Sequence, residues 1–219
     1  MKAIIYGIGS FAEYVSYVIS KDSNYNVIGF CVDREFINRI NNINGLPVVL
    51  FETVQNIYPP SEYDMFIAVG DNEIREEKFL QAIQKGYNLL SYISSKSNTW
   101  DNLKYGKNVF ISEGSVIQPF VKIDDNTIII GAKIGHHSEI GKNNLLSCCY
   151  LAGNVIISNN SFLGLNSTVK QGIFIGSYNI IGMGCIIVKN TCENEIYSVS
   201  KMTKKSKIPS TALKKKYLR

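Results

Sequence analysis

The sequence predicts two unlike parts, a small α/β domain followed by a parallel β-helix. Two observations carry this. Between Ile111 and Ile187 an aliphatic or small residue returns at every sixth position, and the chain opens on a strand-like run, a glycine turn and a helical pattern. A helix repeats about every 3.6 residues and a strand about every two, so neither yields a period of six. A hexad is the signature of a parallel β-helix, in which each unit forms one flat side of a coil.

The first element is read in "KAIIYGIGSFAEYVSYVI", with a strand from Ala3 to Tyr6, a turn at Gly7 and Gly9, and a helix. Ala12 stands where a third small residue lets the helix approach the sheet. Glycines there let the backbone come close to a phosphate, and the helix N-terminus offers it free N–H groups. A second strand, "YNVIGFCVD", ends at Asp33, an acid placed to meet a ribose or base. "YDMFIAVGDNEIR" gives a strand from Met65 to Val69, then a turn and a helix through "REEKFLQAIQKG". "NLLSYIS" from Asn88 is read as the last strand of this domain. An NAD-dependent dehydrogenase is the obvious rival. However, only about 95 residues precede the repeats, short beside a six-stranded fold with two mononucleotide halves.

The polar stretch "SKSNTWDNLKYGKN" places the boundary, with Trp100 expected to cover the first coil. The expected parts are residues 1–97, residues 98–195 and a basic tail, 196–219. The hexads run through Ile111, Ile117, Ile123 and Ile129. After a slip of one they continue through Ile134, Ile140, Leu146 and Ala152, and after a second slip from Ile157 to Ile187 without a break. The recurring aliphatic is expected to point inward. The residue after it is often glycine, at 135, 141, 164, 176 and 182, expected to serve corners where a Cβ would clash. His136 and His137 interrupt the hexads. On residues alone the pair is read either as a catalytic base with its neighbour or as a plain loop at a coil edge.

Composition bounds the rest. No run approaches the roughly 20 apolar residues needed to span a bilayer, and "MKAIIYGIGS" enters a strand directly, unlike a signal peptide. Five cysteines show no CxxC spacing and no disulfide framework, which points to a reducing cytoplasm; with only two histidines, adjacent, no metal site is expected. The net charge of +5 belongs to the tail, because eight basic residues and no acid lie from Lys201 onward, leaving 15 basic against 18 acidic before it. A nucleic-acid partner would need a basic face on the folded part, and none is seen.

The hexads, the insert "IGHHSEIG" and the following "LAGNVIISNNSFLGLNS" resemble the left-handed β-helix of hexapeptide-repeat acyltransferases. Within them they resemble sugar acetyltransferases of the sialic-acid O-acetyltransferase and bacillosamine N-acetyltransferase type. The resemblance implies a Rossmann-like nucleotide-binding domain before the helix, acetyl-CoA as co-substrate, a nucleotide-linked amino sugar as acceptor (UDP-, dTDP- or GDP-linked), and a cytoplasmic homotrimer. Half a dinucleotide fold suits one nucleotide of such a sugar. "YGIGSFA" and "AVGDNEIR" are similar to the family's two glycine turns, which implies substrate contacts at Gly9, Ser10, Asp33, Gly70, Asn72 and Arg75. Phe11 stands where many relatives carry a His.

His136 matches the family's catalytic base. His137 replaces its usual Glu or Asp partner, an imidazole that accepts a hydrogen bond but brings no charge. Gly153 of "AGN" matches the amide that faces the thioester carbonyl, and the backbone at Leu165 and Met183 matches the groove for the pantetheine arm. Leu145 stands where some relatives have a second His, and Cys148 and Cys149 are read as packing. The basic tail is read either as reaching the 3′-phosphate of coenzyme A or as plainly solvated. Two alternatives stand beside amine acetylation: O-acetylation of a sialic-acid-like sugar, and a non-catalytic sugar-nucleotide sensor on the same fold.

Overall fold

The computed structural model describes residues 1–37 and 41–199; the basic tail lies outside them except for its first residues. The first part is β1 (Lys2–Tyr6), α1 (Ser10–Asp22), β2 (Asn26–Val32), α2 (Arg34–Ile37), β3 (Asn42–Ile43), β4 (Leu46–Leu50), a 3-10 turn (Phe51–Asn56), β5 (Tyr63–Ile67) and α3 (Asn72–Gln84). Its sheet runs β3-β4-β2-β1-β5, parallel except for the β3–β4 pair. From β1 the chain goes one way to β2 and β4 and the other way to β5. This makes β1/β5 the switch point at which ligands of such sheets bind. Ala12, Val15 and Ile19 of α1 pack on one face of the sheet, and Phe79 and Ala82 of α3 on the other.

The second part is the expected left-handed parallel β-helix. It has three flat sheets. The first holds strands from Tyr92–Ile93 through Ile128–Ile130 to Ile196–Tyr197, the second Val116–Ile117 through Ile186–Ile187, and the third Lys104–Tyr105 through Phe174–Ile175. Every coil-to-coil pairing is parallel and in register, so inward residues stack in columns such as Ile111, Ile129, Leu146, Leu163 and Ile181. These columns form one continuous apolar core.

Several details differ from the sequence reading. Leu151, not Ala152, is the inward residue of its hexad: Leu151 is buried and Ala152 is exposed. The second slip therefore falls between Leu146 and Leu151. The expected last strand of the first domain is divided. Leu89 bridges Met65, but Tyr92–Ile93 pairs with Phe110–Ile111 and already belongs to the helix. Trp100 is 58% exposed, so most of its surface faces outward.

The glycines after the inward residues are not the left-handed ones. They are small because the next coil is close: a Cβ on Gly135 would stand 2.4 Å from the Ala152 carbonyl carbon, and on Gly176 2.4 Å from the Cys192 oxygen. The left-handed residue of each corner lies three before the inward one. Of fifteen such residues among those described, seven are Asn and four Gly, the two types that adopt positive φ most readily. The other four are Phe120, His137, Cys148 and Tyr178.

The two parts meet on the first sheet of the helix. Phe110 takes the rings of Phe11, Tyr14, Phe66 and Tyr92 around it, with centroids 5.2–6.0 Å away. The amide of Asn108 accepts from Ile67 N at 2.8 Å and donates to Asn126 Oδ1 at 2.8 Å, and Asn126 donates to Asn143 Oδ1 at 2.9 Å. Asp22 accepts from Tyr92, Ser94 and Ser95, donors that hold its carboxyl down to about 2, with Ser95 contributing most.

Arg75 lies in this junction with 0% exposure. Its Nε donates to Asn126 O, one terminal nitrogen to Val69 O and Gly70 O, and the other to Asn72 Oδ1, Asn143 O and Asn144 O, all at 2.8–3.1 Å. Burial lowers its pKa to about 10, so it stays charged at neutral pH. Arg75→Ala strands the coil carbonyls of Asn126 and Asn143, while Asn144 O keeps the Ile128 N–H; at about 1–3 kcal/mol per buried group left unsatisfied the loss of stability should reach about 2 kcal/mol or more. Arg75→Lys should recover less than half, because an ammonium cannot span a planar fork of donors. Denaturant titration checks both; a loss within about 0.5 kcal/mol, the range of a surface change, would refute the assignment.

Candidate active site

His136 and His137 stand at the corner between the second and third sheets. The column through that corner holds Phe120, His137, Asn154 and Gly172 in successive coils. It is tied by His137 N→Pro119 O at 3.2 Å, Asn154 N→His136 O at 2.8 Å and Gly172 N→Gly153 O at 3.1 Å. The His136 amide donates to Gln118 Oε1 at 2.9 Å, which fixes the backbone below the ring. Both histidines are exposed.

The two rings are perpendicular, with Nδ1 of one 3.0 Å from Nδ1 of the other. A hydrogen bond there uses one proton, so one Nδ1 donates and the other accepts. When His136 donates, its Nε2 is left as a free lone pair, the arrangement a general base needs. That nitrogen faces Gly153. A Cβ added to Gly153 would stand 2.7 Å from both Cε1 and Nε2 of His136, so only glycine leaves the ring its place. Gly153 is buried, and among the described residues its N–H has no acceptor. His136 and Gly153 line one hollow of about 400 Å³ with Gln118, Lys133, Gly135 and Ala152.

Leu165 and Met183 are elsewhere in the same chain. They lie beside Asn166 and Gly184, at the corner between the first and second sheets, in adjacent coils, and Met183 is 68% exposed. The structure thus joins His136, His137 and Gly153 but leaves the other two on a different edge of the prism.

The first domain presents two helix N-termini at the switch point. Gly9 caps α1 and Ser10 begins it; Gly70 precedes Asp71, whose carboxylate accepts from the N–H groups of Glu73 and Ile74 to cap α3. Gly7, at φ +120°, sets their separation, because a Cβ there would meet Ala68 O at 2.8 Å. At Gly9 and Gly70 an added Cβ meets nothing within 4 Å, so both turns border open space. Asp33 pairs with Lys78 at 2.8 Å on the wall of a cleft of about 990 Å³ that also includes Arg34, Gln55 and Gln81. Lys78, at 10% side-chain exposure, was missed in the sequence, where nothing distinguishes it from the other basic residues of α3.

Two expected contacts need correction. Arg75 does not reach a ligand: all its nitrogens are engaged by protein acceptors inside the junction, for the reason given above. Asn72 lines a groove of about 470 Å³ with Gly70, but its amide already donates to Ser161 O at 3.1 Å and accepts from Arg75. Cys149 is in the helix core and Cys148 at a corner, half-buried. Among the described residues no cluster could hold a metal ion, and no helix is long and apolar enough to cross a membrane.

A family profile described as the PglD N-terminal domain matches residues 2–82. The whole chain is similar in structure to a variant of perosamine N-acetyltransferase from Caulobacter crescentus in complex with CoA and GDP-perosamine, with a TM-score of 0.82 at 23% identity, covering 90% of this chain and 92% of that one. It is also similar to the acetyltransferase domain of PglB from Neisseria gonorrhoeae in complex with acetyl coenzyme A (0.79, 21%, covering 89% and 94%). WeeI from Acinetobacter baumannii matches at 0.79 and 19%, covering 90% and 96%. At these identities the likeness establishes a shared two-part fold along nearly the full length of each chain.

Gly153→Ala should push the His136 ring away and break the Nδ1–Nδ1 contact while the coil stays folded. Nitrogen-15 histidine NMR reads this directly: the variant should lose the single tautomer expected of His136, and an unchanged spectrum would mean that the ring does not rest on Gly153.

Proposed function

We propose that the chain is an acyltransferase that moves the acetyl group of acetyl-CoA to the amine of a nucleotide-linked amino sugar, UDP-, dTDP- or GDP-linked, for surface glycan biosynthesis in the cytoplasm. The observation that carries the reading is the seating of His136 over Gly153, with Nδ1 engaged by His137 and Nε2 free. Acetyl transfer needs a base for the attacking amine, a donor for the oxyanion and alignment of the two reactants. His136 Nε2 takes the amine proton as the new C–N bond forms. The Gly153 N–H donates to the carbonyl oxygen as it gains charge. The protonated ring then returns its proton to the departing thiolate.

The bound ligands of the similar structures, CoA with GDP-perosamine in one and acetyl coenzyme A in another, support this choice of reactants. Gly9, Ser10, Gly70 and Asn72 border the site for the nucleotide diphosphate, and Asp33 meets its base or ribose, in keeping with helix N-termini as anion sites. The separation of Leu165 and Met183 from His136 supports a homotrimer. In such an assembly the pantetheine groove of one copy meets the histidine corner of the next, and closed symmetry repeats the site three times.

His136→Ala should lower kcat by about 10²–10⁴, the usual contribution of a general base, with little change in melting temperature because the side chain is exposed. His137→Ala should cost less. Full turnover in His136→Ala would sink the proposal. Asp33→Ala should raise KM for the sugar nucleotide and leave acetyl-CoA binding alone; calorimetry showing tight NAD binding, lost in Asp33→Ala, would favour a dehydrogenase instead.

A further inference from the structure

Phe120 has no part in the chemistry above, and its position is costly to the chain. It is one of the four corner residues that are neither Asn nor Gly, at φ 66°, a conformation that bulky side chains avoid. Its ring is 65% exposed, so burial does not explain it. What the ring touches is His137, one coil further on, with centroids 4.6 Å apart and planes at 39°. His137 is itself a left-handed corner, at φ 58°. Two unfavourable corners in adjacent coils of one column thus place an aromatic face against the imidazole that holds His136.

We propose that Phe120 is a positioning residue for the catalytic pair: its ring packs His137 so that Nδ1 stays within hydrogen-bond reach of His136 Nδ1, and its π face favours the positive charge the pair acquires when His136 takes a proton. The inference rests on His136 being the base. It supplies what the histidine pair lacks. Among the described residues no carboxylate bonds to either imidazole. The charged groups nearby are Lys133, in the wall of the hollow, and Lys104 and Lys122, beside Phe120; Glu139 is held by Lys122 at 2.7 Å. Protonation of His136 at Nε2 makes its Nδ1–H a charge-assisted donor to His137. The Phe120 ring faces His137, 4.6 Å away, which shares that charge across the Nδ1–Nδ1 hydrogen bond, and an aromatic face within about 6 Å of a cation stabilises it. The ring thus takes the place of an acidic partner.

The test uses the full chain with Phe120→Asn, which installs the commonest corner residue and relaxes the backbone, and Phe120→Tyr, which keeps the ring. Steady-state acetyl transfer is read beside nitrogen-15 histidine NMR. Phe120→Asn should lower kcat about 3- to 30-fold, the range of a cation–π contact, with KM for acetyl-CoA little changed and the melting temperature equal or higher. The rising limb of kcat/KM should move to lower pH, because a cation no longer favoured forms only at lower pH. His136 should change from a single Nδ1–H tautomer to a mixture. Phe120→Tyr should restore the rate and the tautomer. Wild-type kcat together with an unchanged tautomer in Phe120→Asn would overturn the proposal. If the wild-type chain transfers no acetyl group, the reading of His136 as base fails, and the NMR alone decides whether Phe120 orders the pair: an unchanged tautomer in Phe120→Asn refutes it.

Discussion

Burying the Arg75 guanidinium is possible only because carbonyls from both halves of the molecule face it at once. Val69 and Gly70 supply the turn after β5, and Asn126, Asn143 and Asn144 supply consecutive coils. Among the described residues no carboxylate bonds it; the ion is solvated by peptide and amide dipoles, which avoids the geometry demanded of a buried ion pair. The consequence is positional. The turn that carries Gly70 and Asn72 is the turn that Arg75 grips, so a buried residue fixes the second glycine turn relative to the coils.

The left-handed corners do comparable work inside the helix. Asparagine at a corner adopts positive φ and still has an amide to use. At Asn108, Asn126 and Asn143 those amides join coil to coil. On another edge of the helix, Phe120 and His137 hold the corner positions with an aromatic–imidazole stack and a pair of imidazoles in place of such a ladder. The exceptions to the corner rule therefore include the place where the chemistry is proposed, as expected when local preference yields to function.

The period of six was legible because each inward aliphatic occupies the same column, and a column tolerates little else. The strand, turn and helix around Gly7 were legible for the reason that Gly7 and Ala12 are small: backbone and helix come close there. The corner asparagines, at seven of the fifteen described positions three before a hexad aliphatic, do not stand out in the sequence, because glycine directly after the aliphatic draws the turn assignment to itself. Arg75 was misread for a deeper reason. An arginine at a helix start beside a glycine turn looks the same in sequence whether its donors face a phosphate or a second domain, and only the packing of that domain decides. The strand at Tyr92–Ile93 likewise has no sequence mark that separates pairing with β5 from pairing with the first coil.

The two halves touch over a limited stretch of the first sheet. The Asn108, Asn126 and Asn143 ladder, the Phe110 cluster and the Arg75 carbonyls belong to early coils; further along, Asn160 donates to Glu76 and Ser161 O accepts from Asn72. Beyond them Ile180 and Ile196 are exposed on the same face. The β-helix therefore continues past its last hydrogen bonds to the first domain, at Asn160 and Ser161. Insertion or deletion of a whole coil after Ile181 would change the length of the β-helix without altering the geometry between the glycine turns and the histidine corner. A change of one residue is absorbed at a corner, as the five-residue steps from Ile129 to Ile134 and from Leu146 to Leu151 show, with the later columns still in register.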